Sequence, residues 1–149
     1  MKILKGFKEA RKASKKSDLK SAKVGACAVN GKRIFKGYNT KKTHTKLPEL
    51  YGNTLSTHAE AKAIFNSKRN PIHTIYVYRE DSKGDIKNSR PCEGCLGFLI
   101  AKGVKRIFYT LDNNSYGQIS TDQIMFETIH SWNILLKEEL IVKKFLQGS

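Results

Sequence analysis

Two short stretches of this chain bring together residue types that can do chemistry. "PCEGC" (91–95) holds Cys92 and Cys95 three apart, and "HAE" (58–60) holds His58 and Glu60 two apart. On the first turn of a helix, residues i and i+3 share a face, so both sulfurs can reach one ion. Free backbone N–H groups and the positive end of the helix dipole favour the thiolate that binds metal there. Two thiolates still leave a zinc ion short of ligands. Cys27 does not complete the set. It sits in the apolar run "KVGACAV" (23–29), which reads as a strand, and packs as a small hydrophobe. Histidine must supply the third ligand.

Of the four histidines, His44 falls in a long polar loop, His73 at the edge of an element and His130 in the C-terminal third. His58 opens a helical run and is followed by an acid. With Cys92 and Cys95 it makes a Cys₂His set that leaves a fourth position open, the arrangement of a catalytic zinc. Water in that position has a pKa near neutrality, and a carboxylate just beyond bonding distance can take its proton and deliver it elsewhere. Glu60 is placed for that task. Glu60 also has a structural reading, as the third helical residue of a capping box begun by Thr57. Two other readings of the cysteines carry less. A redox Cys-x-x-Cys usually has an aromatic residue before the first Cys, and Pro91 stands here. A structural zinc knuckle needs a fourth protein ligand and leaves Glu60 without a role.

These residues need elements to hold them. Residues 5–20 read as a basic helix with apolar positions at Phe7, Ala10, Ala13 and Leu19. "KVGACAV", the Asn-Gly turn signal of "NGKR" and "RIFKGYN" (33–39) form an antiparallel hairpin. A polar loop over 40–57 precedes a helix from His58 to about Ser67. "HTIYVYR" (73–79) is β-branched and aromatic, hence a strand. "EDSKGDIKNS" is a polar connection, and Pro91 suits the first turn of a helix over 92–103 that stops near Gly103. "VKRIFYT" (104–110) is the next strand; the helix between it and 73–79 predicts a parallel pair with a right-handed crossover. "DNNSYGQIS" follows as a turn and short extension, and residues 131–146 suggest a terminal helix. The order describes a mixed sheet of about five strands with helices on its faces, within a single domain over 1–149.

The net charge of +15 is uneven: residues 1–46 hold 15 Lys and Arg against Glu9 and Asp18 alone. The excess of Lys over Arg follows coding bias, but the scarcity of acids in the first third points to a phosphate-bearing partner. No apolar run approaches the roughly 20 residues of a membrane span, and the N-terminus lacks a secretory pattern, so a cytoplasmic location is expected.

The paired motifs resemble those of the zinc-dependent cytidine/deoxycytidylate deaminase superfamily, H-x-E followed by P-C-x-x-C. The match is "HAEAKAIF" (58–65) with "RPCEGCLGFLIAKGVKRIFYT" (90–110), and "KVGACAVNGKRIFKGYN" (23–39) is similar to the family's first hairpin. The likeness covers about residues 5–110; residues 111–149 have no clear functional match. It implies a three-layer α/β/α fold, one zinc ion on His58, Cys92 and Cys95, proton transfer by Glu60, and substrate contacts from Asn39 and Ala59. The implied reaction is hydrolytic deamination of a cytosine-type base. A nucleotide such as dCMP is the first substrate class, with Lys and Arg of the first third on its phosphate. Cytosine or adenine in single-stranded DNA or RNA is the second, with Tyr38 or Tyr51 stacking on bases. A non-catalytic zinc-stabilised nucleic-acid-binding module is the third reading. Relatives are commonly oligomeric, which implies a homo-oligomer.

Overall fold

The computed structural model of the protein describes residues 2–41, 58–112 and 114–120. Among these residues, three helices and six strands follow in the order α1 (Ile3–Ser14), β1 (Lys23–Asn30), β2 (Arg33–Tyr38), α2 (Ala59–Asn66), β3 (Thr74–Glu80), β4 (Ile86–Lys87), α3 (Glu93–Ala101), β5 (Arg106–Leu111) and β6 (Ser115–Ser120). The strands form one mixed sheet of order β2-β1-β3-β5-β6, with β4 paired beside β3. All neighbours are antiparallel except β3 and β5, the pair joined through α3.

The period-2 alternation of the strands divides the core in two. Ala26 and Ala28 of β1, Ile75 and Val77 of β3, and Ile107 and Tyr109 of β5 face α2 and α3. Cys27, Tyr76, Tyr78 and Phe108 face the other way, against Phe7 and Ala10 of α1. The result is the three-layer α/β/α arrangement expected from the sequence. Two glycines let the helices approach. A Cβ at Gly25 would strike Ala10 O of α1, and one at Gly37 would strike Ala63 N and Ala59 O of α2.

Several details differ from expectation. Helix α1 ends at Ser14, six residues before the predicted stop. There the Ser14 hydroxyl donates to Arg11 O at 2.6 Å, the local bonding by which Ser competes with helix continuation. In the β1–β2 hairpin Gly31, with φ +59°, takes the first turn position, so the turn is Gly31-Lys32 rather than Asn30-Gly31. The "polar connection" contains β4, and the "short extension" is a full six-residue strand, β6. Thr57, most of the 40–57 loop and the suggested helix over 131–146 lie outside the described residues. Among the described residues, no helix is long and apolar enough to cross a membrane.

Candidate active site

Helices α2 and α3 point their N-termini at one spot. The N-cap of α2 is His58 and that of α3 is Cys92, both with extended backbone. Because Gly37 seats α2 on β2 while the crossover sets α3 beside it, residues 34 apart in sequence meet. His58 Nδ1 lies 3.0 Å from Cys95 Sγ and 3.8 Å from Cys92 Sγ. The three ligand atoms all fall within 4.8 Å of one another. A tetrahedral zinc with ordinary Zn–N and Zn–S lengths requires N···S spacings of about 3.6 Å. The donor set and its spacing fit one zinc ion, and the Glu60 carboxylate does not join the cluster.

The electrostatics also suit a cation. Hydrogen bonds from Cys95 and His58 hold the Cys92 thiol down to about 3, against burial that opposes ionisation. Cys95 N–H donates to Cys92 Sγ at 3.4 Å, so the sulfur also caps α3. The His58 imidazole is raised from its ordinary value, first by its bond with Cys92 and then by the charges of Glu60 and Cys92. Glu60 is 5% exposed. Burial pushes its carboxyl up, and its own backbone amide, His58 and Cys95 pull the other way. Since His58 is the N-cap, Glu60 is the second helical residue, not the third, and the expected capping box with Thr57 does not describe this helix start. Cys27 is buried in β1, away from the cluster, and burial drives its thiol up to about 12.

A cleft of about 210 Å³ opens beside the cluster. His58, Ala59, Glu60, Cys92 and Asn39 all line it, while Cys95 is buried behind. Asn39 is firmly fixed. Its Oδ1 accepts from Ser17 Oγ at 2.6 Å and Val24 N at 2.9 Å, and its Nδ2 donates to Ala22 O at 2.7 Å. Other groups in the cleft were not singled out by the motifs: Arg79 at the end of β3, and Asn88, Ser89 and Arg90 before α3. No Lys or Arg of the described first third lines it. Instead Lys15 pairs with Glu80 at 2.7 Å and Lys36 with Glu9 at 2.9 Å. Tyr38 carries the Lys62 ammonium 5.0 Å over its ring, outside this cleft. His73 is exposed just before β3; His44, Tyr51 and His130 lie outside the described residues.

A family model for the cytidine and deoxycytidylate deaminase zinc-binding region matches residues 2–111, well over half of the chain. The chain belongs to that family. It is therefore a member of a group of zinc-binding hydrolytic deaminases, and the cytosine-type substrate class follows at that level. Solved structures share the fold. A cytidine deaminase from Burkholderia pseudomallei superposes with a TM-score of 0.61 at 22% identity, over 80% of this chain and 93% of its own. A dCMP deaminase from the cyanophage S-TIM5 gives 0.54 at 24% identity, over 74% and 86%. Cytidine deaminase from Mycobacterium tuberculosis gives 0.53 at 19%, over 72% and 83%. Among curated protein sequences, none matches the chain.

Proposed function

We propose that this deaminase converts a cytosine-type base to uracil on a nucleotide such as dCMP, with His58, Cys92 and Cys95 holding zinc and Glu60 moving the protons. One observation carries the reading: a Cys₂His cluster of metal-binding dimensions lies beside a cleft walled by a buried carboxyl. When bound, zinc activates the water that hydrolysis consumes. Glu60 accepts one proton of the attacking water and delivers it to the ring nitrogen beside the reacting carbon, then takes the second proton from the hydroxyl left on that carbon and passes it to the departing amine. Water and a cytosine base thus become uracil and ammonia. A buried carboxyl with a raised pKa suits this cycle, because it holds a proton more readily near neutral pH than an exposed one. Ala59, fully buried at the helix start, leaves room for the base. Asn39, held by Ser17, Ala22 and Val24, keeps a second amide hydrogen for sugar or base, since Ala22 takes one.

The same reading takes residues 1–149 as one cytoplasmic, homo-oligomeric deaminase domain. The charge of the first third supports a second reading, a single-stranded nucleic acid as substrate. Purified protein offered dCMP, dCTP, cytidine, DNA and RNA strands, with ammonia recorded, separates the two; steep salt sensitivity would accompany a polymer. Glu60→Gln should retain zinc and lose activity by roughly 100-fold or more. Full turnover by that variant would overturn the mechanism.

A further inference from the structure

The cations that reach the cleft come from an unexpected part of the chain. Arg79 continues the i, i+2 series of Ile75 and Val77 on β3, which puts it on the zinc-site face of the sheet, at the carboxyl end of a strand. In sheets with parallel pairs, ligands bind outside those ends. Arg79 Nε is buried with no hydrogen-bond partner among the described residues, and Nη1 makes only a long 3.4 Å contact with Asn88 O. None of the ion pairs among the described residues involves Arg79. Arg79 as a whole is half-buried, and an anion in the cleft would complete the pairing of its buried Nε.

Arg90 reaches the same cleft from a loop held rigidly. Ser89 Oγ donates to Val77 O at 2.7 Å and accepts from Thr110 N at 2.7 Å, while Ser89 N donates to Thr110 O at 2.9 Å. Asn88 N donates to Asp112 Oδ1, and Arg90 N to Asn88 Oδ1, at 2.9 and 2.8 Å. These bonds clamp the segment to the ends of β3 and β5.

We infer that Arg79 and Arg90 form a phosphate-binding subsite that makes the protein select a nucleoside 5′-monophosphate over the free nucleoside. The inference rests on the deaminase reading for its base-binding half, and it names the residues that read the other half. A phosphate monoester is a compact dianion with three terminal oxygens, which two guanidinium forks in one cleft can share. A backbone diester carries one charge and two free oxygens, and it must extend beyond the cleft at both ends.

Binding can be measured without turnover in zinc-loaded Glu60→Gln protein, by calorimetry with dCMP, deoxycytidine, inorganic phosphate and a short single-stranded oligonucleotide. Arg79→Gln and Arg90→Gln should each weaken dCMP by roughly 10- to 100-fold, the range for a lost charge-assisted bond. Deoxycytidine should weaken far less, and Arg79→Lys should recover part of the loss. In the active protein, the kcat/KM ratio of dCMP to deoxycytidine should fall by a like factor at unchanged zinc content and melting temperature. Unchanged dCMP affinity in both Gln variants would overturn the subsite while leaving the deaminase reading intact. Oligonucleotide affinity falling as steeply as that of dCMP would overturn the monoester assignment. Loss of dCMP binding in a protein that deaminates no pyrimidine would leave the subsite standing and overturn the proposed function.

Discussion

The three cysteines share a side chain but not a surrounding, and the difference is measurable. Cys92 is exposed at the start of α3 with a stabilised thiolate, whereas Cys27 is fully buried with its thiol pushed up to about 12. Metal-free protein treated with iodoacetamide should therefore lose Cys92 first and keep Cys27 until it unfolds. Zinc loading should protect Cys92, as intact-mass spectrometry and peptide mapping would read. Early alkylation of Cys27 would contradict the packing of β1. At this scale the metal-binding set is legible in sequence because each half is local: His58 with Glu60, and Cys92 with Cys95, lie within one helical turn. Arg79 and Arg90 are not legible in that way. Arg79 reads as one more charge at a strand end, and only the pairing of β3 with β5 brings it to the cleft beside Arg90.

Elements were readable where a run of residue types or a turn signal marked them, and less so where a single contact decided. Apolar, β-branched and aromatic runs mark β1, β2, β3 and β5, and the crossover length sets β3 parallel to β5. The two-residue β4 is too short to leave a run to read, and α1 stops at Ser14, where no glycine or proline marks the end. The seating of α2 is also a single-contact matter. Gly37 lets the backbone of Ala59 and Ala63 lie directly on β2, and His58 and Glu60 ride on that same first turn. Gly37→Ala must push the helix outward, because the obstructing atoms are backbone and cannot rotate away. Urea unfolding should show a loss of about 1–3 kcal/mol, and deamination should fall with it. Gly97→Ala, exposed in α3 with nothing near its added carbon, should instead be neutral or gain up to about 1 kcal/mol. Equal effects at both glycines would mean that propensity, not close approach, governs them.

For the molecule as a whole, the position of the cluster decides what zinc does for the fold. Ala59, Ala63, Leu96 and Leu99 already pack α2 and α3 onto the sheet, and α1 has its own apolar face on the other side. Neither layer depends on His58, Cys92 or Cys95 to be buried, so metal should add to a fold that exists without it. A structural zinc knuckle would behave oppositely, since its small core forms only around the ion. Chelation should accordingly lower the melting temperature by several degrees, the expected size when a ligand worth a few kcal/mol leaves. The far-UV circular dichroism and a single cooperative transition should remain, and re-added zinc should restore both activity and melting temperature. Cys92→Ser should melt near the chelated value and respond little to chelator. Collapse of secondary structure on chelation would place zinc among the determinants of the fold and remove the argument for an open catalytic position.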